Sequence, residues 1–166
     1  DVERSRGLGD VYKRQWQRSK ETPCRSCTNH SQCVHKAMQK LSTFLIRLTG
    51  LTFLLFGVAC VVAPNAIMHT GTGLSITHPI ALTDIRATYG GMSIGIAAIL
   101  FLLAASPTTT RAGLVSVLVL MLGMASSRAV GMFIASTTNG FMLAYLALEL
   151  GAAAFSAILL SRPLAS

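Results

Sequence analysis

Four long apolar runs, separated by short polar segments, dominate the chain from residue 38 onwards. In chain order they cover about residues 41–63, 85–105, 112–135 and 141–161. Each run is long enough to cross a bilayer as a helix, because the hydrocarbon layer needs about 20 residues at about 1.5 Å per residue. The pattern therefore predicts an all-α fold, an integral membrane four-helix bundle.

The composition agrees with a membrane protein and argues against an ordinary soluble domain. Hydrophobic residues make up 52% of the chain and charged residues 12%, and the mean hydropathy is +0.57. The formal charge of +8 would suggest nucleic-acid binding if the basic residues formed a patch. Eight of the 14 precede residue 37, however, and the other six flank or interrupt the apolar runs. We therefore expect the lipid bilayer as a partner, and no nucleic acid.

Basic residues also predict the orientation of the bundle. Lys40, Arg111 and Arg162 lie at the amino end, in the middle connection and at the carboxyl end, whereas the first and third connections carry no lysine or arginine. Short loops rich in basic residues stay in the cytoplasm. Both termini are therefore predicted to be cytoplasmic, and the first and third connections to lie on the outer side.

Residues 1–37 form a polar segment whose composition differs from that of the rest of the chain. Within it, residues 10–15 read D-V-Y-K-R-Q, which resembles the translated transposon end used to prepare sequencing libraries. This resemblance predicts that residues 1–15 are not native, whereas residues 16–37 are either upstream sequence read in frame or a natural extension. Met38 is the predicted natural start of a four-helix domain that covers residues 38–166.

Three cysteines and two histidines of this segment have side chains of the types that bind zinc. They are Cys24, Cys27, His30, Cys33 and His35. Their spacing is too tight for a usual zinc finger and no second half-site follows, so we predict no metal site. Since no histidine lies within an apolar run and no C-x-x-C-H motif occurs, we expect no haem and no other cofactor.

Charged residues inside the apolar runs mark a candidate site, because each unpaired charge in hydrocarbon costs about 2.5 to 3.5 kcal/mol. Arg128 and Glu149 lie at similar predicted depths, about 10 and 12 Å below the outer ends of their helices. Asp84 and Arg86 lie at the outer end of the second run. Two arginines and two carboxylates sum to zero, and two tyrosines at helical spacing add hydroxyl groups. The predicted polar cluster consists of Asp84, Arg86, Tyr89, Arg128, Tyr145 and Glu149.

Structural roles compete with functional ones for these residues. One interpretation makes Asp84 only the N-cap of the second helix. The Arg128–Glu149 pair is either an interhelical lock that sets the register of the bundle or part of a functional site. The sequence leaves both alternatives open.

Small residues recur at every fourth position in the second and third runs. Such spacing lets helix backbones approach closely in a membrane. The predicted packing residues are Ala87, Gly90, Gly91 and Gly95 in the second run, and Gly123, Ser127 and Gly131 in the third.

Three motifs together resemble one protein family. They are D-I-R-A-T-Y-G-G-M-S-I-G at residues 84–95, G-M-A-S-S-R-A-V-G at residues 123–131 and L-A-L-E-L at residues 146–150. In this order and spacing, residues 38–166 are similar to the bacterial four-helix membrane family named domain of unknown function 4345, whose members often carry Glu where Asp84 stands. The resemblance implies a multi-pass protein of the bacterial cytoplasmic (inner) membrane, and implies no established activity.

Two functions of different class are compatible with the pattern. In the first, a small binding or accessory bundle, Arg86 and Arg128 hold an anionic or polar, lipid-like molecule that enters from the outer side, while Glu149 balances their charge. In the second, a membrane enzyme or redox-complex subunit, Glu149 acts as an acid or base on a lipid or quinone. We favour the first, and catalytic residues stay unassigned. A second copy of the chain or a subunit of a membrane complex is a further candidate partner.

Overall fold

A computed structural model describes residues 30–136 and 138–162, with side chains from residue 34 onwards. The described residues form α-helices, one π-helical turn and one 3-10 turn, and none of them lies in a β-strand. The α-helices are α1 (His30–Val62), α2 (Pro64–Thr72), α3 (Pro79–Ile85), α4 (Met92–Leu103), α5 (Thr110–Ala135) and α6 (Gly140–Leu160). The predicted all-α fold is confirmed. Two predictions lie outside the described part of the chain. One is that residues 1–15 are not native. The other is that no metal site exists at the side chains of Cys24, Cys27, His30 and Cys33, which precede the first described side chain.

Four helical stretches are long and apolar enough to cross a membrane, as predicted. They are Val34–Val62, Pro79–Leu103, Pro107–Ala135 and Gly140–Leu160. The second begins at Pro79 rather than near residue 85 because His78 caps α3. The His78 Nδ1 accepts a hydrogen bond from the Ile80 N–H at 3.3 Å, and Pro79 occupies the first turn. Asp84 is therefore inside a helix, and its interpretation as an N-cap is wrong.

The connection between the first two spans contains a helix, α2, that the turn-forming residues of this segment did not predict. It begins at Pro64 and ends at Gly73, whose left-handed backbone (φ 74°) suits glycine because no Cβ is present. The Gly73 N–H donates to the His69 carbonyl at 2.9 Å. On the way to α3, the Ile76 N–H donates to Asn65 Oδ1 at 3.3 Å. The outer connection therefore has a definite structure of its own.

The end of the bundle that carries Lys40 and Arg111 holds the main apolar core. Its buried side chains come from all four spans and extend toward the middle of the bundle. They are Leu45, Ile46, Leu100, Ala104, Leu114, Val117, Met121, Ala153 and Leu159. α1 and α5 approach closely there because Gly113 has no side chain, since a Cβ on it would lie 2.7 Å from Ile46 Cδ1. By the predicted orientation, this inner end is the cytoplasmic one.

Toward its other end, α1 meets the second span through two glycines. A Cβ on Gly57 would lie 2.8 Å from the Gly90 carbonyl oxygen and 3.0 Å from the Ile94 nitrogen. A Cβ on Gly90 would lie 2.5 Å from Val61 Cγ2. Gly90 thus lies at a close approach of two helices, and Gly57 is its partner, which sequence analysis missed.

The predicted stripe of Ala87, Gly91 and Gly95 is exposed at all three positions, so it does not pack against another of the described helices. A π-helical turn covers Arg86–Gly91, and in it the Met92 N–H bonds to the Ala87 carbonyl, five residues back. An α-helix forms this bond four residues back. The buried face of this part of the second span runs instead through Gly90, Ser93 and Ala97.

We expect Gly57→Ala to destabilise the bundle, because the new Cβ meets backbone atoms that cannot rotate away. Overpacking of this kind costs about 1 to 3 kcal/mol, more than the roughly 0.5 to 1 kcal/mol that alanine gains over glycine within a helix. The measurement is the thermal unfolding midpoint of the purified protein in detergent.

Gly95→Ala is the matched control, since a Cβ on Gly95 would meet no atom within 4 Å. We expect its midpoint to equal or slightly exceed that of the wild type. Equal midpoints for the Gly57 and Gly95 variants would contradict the close approach of α1 to the second span.

Candidate functional site

An ion pair joins α5 to α6 in the outer half of the bundle. The Arg128 Nη2 lies 2.7 Å from Glu149 Oε1, and the Arg128 Nε lies 3.3 and 3.2 Å from Oε1 and Oε2. The Glu149 side chain is 7% exposed and that of Arg128 22% exposed. A guanidinium that donates from two nitrogens to one carboxylate forms the strongest type of protein ion pair. The predicted pairing of these two residues is present.

The tight turn between α5 and α6 brings the two charges to the same level. α5 ends at Ser136, which has a left-handed backbone (φ 52°). α6 is capped by Asn139, whose Oδ1 accepts from the Met142 N–H at 2.9 Å. Arg128 lies about 12 Å before the turn and Glu149 about 15 Å after it, at 1.5 Å per residue. The long side chain of arginine spans the small difference.

Two further side chains of α6 surround the Arg128 guanidinium. The Tyr145 ring centroid lies 5.2 Å from Arg128 Cζ, within the range of a cation–π interaction. The Arg128 Nη1 lies 3.3 Å from Met142 Sδ. Met142, Tyr145 and Glu149 are spaced by three and four residues, so they share one face of the helix. Sequence analysis missed Met142, although this spacing from Glu149 could have revealed it.

The other three predicted cluster residues lie elsewhere. The Arg86 Nε donates to the Val61 carbonyl in the last turn of α1 at 3.1 Å, a contact that satisfies a carbonyl at a helix end. Asp84 accepts a long hydrogen bond of 3.5 Å from Thr88 Oγ1. Tyr89 is exposed. Among the described residues, no hydrogen bond or ion pair links these three to Arg128, Tyr145 or Glu149, so the six predicted residues form two groups.

An open groove with a volume of about 1090 Å³ lies beside the ion pair. Arg128 is the charged side chain among the described residues that line it. The lining is apolar along α5 and polar at the outer rim. It comprises Val119, Leu120, Met124, Met132, Ala135 and Met142, the small residues Gly123, Ser127 and Gly131, and the rim residues Thr72, Thr138 and Asn139.

The second predicted stripe of small residues lines this groove instead of packing against another helix. A Cβ on Gly123 or Gly131 would meet no atom within 4 Å, and Ser127 is exposed. The stripe leaves α5 uncovered over about 12 Å, the rise of eight helical residues. Within the described part of the chain, the predicted packing role of this stripe is therefore not observed.

The site offers guanidinium donors, a thioether and apolar surface. Among the described residues, no three His, Cys, Asp or Glu side chains are grouped so that they could hold a metal ion. Glu149, the candidate acid or base, is buried behind Arg128, and both its carboxylate oxygens accept from that residue.

The chain matches the family described as Domain of unknown function (DUF4345) over residues 41–160. The match reaches all four candidate membrane spans and includes Arg128 and Glu149. No curated protein and no solved structure matches the chain.

Charge reversal is expected to show whether the ion pair holds α5 against α6. Arg128→Glu and Glu149→Arg each leave two like charges facing one another, and breaking a buried pair costs about 3 to 5 kcal/mol. We expect both variants to lose the folded peak in fluorescence-detected size-exclusion chromatography. The double exchange restores opposite charges and should recover much of that peak.

Arg111→Glu serves as the control, because Arg111 is exposed at the inner end of α5. Its folded yield should match that of the wild type. If the Arg128 and Glu149 single variants also fold like the wild type, the pair does not hold the bundle together.

Proposed function

Because the chain belongs to the DUF4345 family, a domain of unknown function, we propose its function from the site itself. This multi-pass membrane protein is a small binding bundle, and its groove beside Arg128 takes up an anionic or polar, lipid-like molecule. The localisation we propose is the bacterial cytoplasmic (inner) membrane, with the rim of the groove on the outer side. The basic residues at the opposite end of the bundle support this orientation.

The observation that carries the proposal is the state of the Arg128 guanidinium. Arginine has five N–H donors. Nε and Nη2 donate to Glu149, while the one partner of Nη1 among the described residues is the thioether sulfur of Met142, a weak acceptor. Both Arg128 and Met142 line the groove. An oxygen atom of a bound molecule would therefore be a better partner for Nη1 than the one it has.

The polarity of the groove changes along its length in the way an amphiphilic molecule requires. Val119, Leu120 and Met124 provide an apolar wall toward the middle of the bundle. Thr72 and Asn139 provide polar groups at the outer rim. An apolar tail would lie along the wall, and a polar group would lie at Arg128 or at the rim.

The alternative, an enzyme in which Glu149 is the acid or base, has weaker support. A general acid or base must reach the proton that it transfers. The Glu149 side chain is buried, does not line the groove and is hydrogen-bonded through both oxygens to Arg128. These contacts suit a residue that positions the guanidinium better than one that reacts with a ligand.

Ligand-dependent thermal stabilisation in detergent tests the proposal. The probes are a short-chain phosphatidylglycerol, which is anionic, and a decyl-substituted benzoquinone, which is neutral. At a hundredfold excess over Kd, a ligand stabilises the folded state by about 2.7 kcal/mol, which raises the unfolding midpoint by several degrees. We expect at least one probe to give a saturable rise, and Gly131→Leu, which fills the groove, to abolish it.

Gly95→Leu is the matched control, because Gly95 is equally open but does not line the groove. It should keep the full ligand-dependent rise. A saturable rise that survives in the Gly131 variant would place the binding site outside the groove.

Arg86→Gln is expected to distinguish the role of Arg86 from that of Arg128. Because the Arg86 side chain bonds to the end of α1 and does not line the groove, the change should remove about 1 kcal/mol of stability. The ligand-dependent rise should stay the same as in the wild type. If that rise is lost while the midpoint without ligand stays normal, Arg86 contributes to the binding site.

A further inference from the structure

We infer that the molecule in the groove meets Arg128 through an uncharged carbonyl oxygen held within the hydrocarbon layer. This inference rests on the proposed function and narrows the class of ligand. The geometry points to a neutral carbonyl on an apolar body, as in the ring of a quinone or the ester of an acylglycerol, rather than to an anionic head group.

The depth of the guanidinium favours a group below the head of the ligand. Asn139 caps α6 at the rim of the groove, and Tyr145, whose ring lies 5.2 Å from Arg128 Cζ, follows six residues later. The guanidinium therefore lies about 9 Å below the rim, at 1.5 Å per residue. A lipid phosphate stays at the polar surface of a bilayer, and the polar side chains of Thr72 and Asn139 line the rim of the groove. The group that reaches Arg128 belongs to the part of the ligand below its head.

The charge of the site favours a neutral acceptor. Glu149 already balances the positive charge of Arg128 at a distance of 2.7 Å. Among the described residues, no other arginine or lysine lines the groove. An anion that bonded to the same guanidinium would be repelled by Glu149 and would have lost its hydration. A carbonyl accepts the same hydrogen bond and adds no net charge to the hydrocarbon layer.

The present partner of Nη1 is one that a carbonyl oxygen could replace. The Met142 sulfur accepts from Nη1 at 3.3 Å and itself lines the groove. A thioether is a weak acceptor on a flexible side chain, so it can rotate away when a stronger acceptor arrives. A carbonyl oxygen in its place would exchange a weak hydrogen bond for a strong one without disturbing the bonds from Nε and Nη2 to Glu149.

The test compares three probes of similar tail length on the purified full chain in detergent: a decyl-substituted benzoquinone, a dioctanoyl glycerol and decanoate. The first two present a neutral ring or ester carbonyl, and the third is an anion. We expect at least one neutral probe to bind saturably, and decanoate to bind at least tenfold more weakly. Which of the two neutral probes binds distinguishes a ring carbonyl from an ester carbonyl.

Two variants connect the binding to Nη1. Arg128→Lys keeps a positive charge beside Glu149 but cannot donate to the ligand and to the carboxylate with the same fork geometry. We expect it to lower the affinity for the neutral probe about tenfold, which corresponds to the loss of one hydrogen bond. Met142→Leu conserves volume and removes the competing sulfur, so it should keep or raise affinity. If the lysine variant does not fold, the leucine variant still tests the inference, because a drop in its affinity would contradict it.

Infrared spectroscopy of a carbonyl-labelled probe gives a direct chemical readout. On binding to the wild type, the carbonyl stretch should move to lower frequency because the oxygen accepts a hydrogen bond. The Met142→Leu protein should show the same shift.

The outcomes separate this inference from the proposed function. If decanoate binds more tightly than both neutral probes, or a bound neutral probe shows no carbonyl shift, the inference is overturned while binding in the groove stands. If no probe binds saturably to the folded wild type, the proposed function fails, and the inference fails with it.

Discussion

A charge inside the hydrocarbon layer must find its partner within the protein, and this requirement shapes the outer half of the bundle. In hydrocarbon, an isolated guanidinium or carboxylate would cost several kcal/mol. The Arg128–Glu149 pair meets the requirement with two donor nitrogens on one carboxylate. Sliding or rotation of α5 against α6 would separate the two charges, which are 2.7 Å apart.

The pair matters because apolar packing is unevenly distributed along the bundle. The main core lies toward the inner end, where side chains of all four spans are buried together. Farther out on α5 and α6, beyond Met121 and Ala153, few side chains are buried. Among the described residues of these two helices, they are Ala125 and Glu149. An ion pair can thus hold two helices together where there is little apolar core, which leaves room for a groove that packed side chains would fill.

Of the six predicted cluster residues, the three on the regular helices α5 and α6 lie together, and the three on the second span lie elsewhere. Arg128 and Glu149 lie on regular helices that join at a tight turn, so counting residues from that turn placed them together. Asp84, Arg86 and Tyr89 precede or lie in the π-helical turn, where one extra residue changes the direction of every side chain on one side of it. Met142 lies on a regular helix and could have been found by its spacing from Glu149, but methionine in an apolar run carries no polar signal.

The sequence by itself determined the class of fold, the number of spans and the family, because these depend on composition, on the length of apolar runs and on motif order, which are properties of the linear chain. Only the tertiary structure decided which glycines are contacts. Gly57 and Gly90 touch, while Gly123 and Gly131, in an equally regular pattern, line an open groove. A repeat of small residues shows that a close approach is sterically allowed, but whether another helix occupies that space depends on how the remaining helices pack.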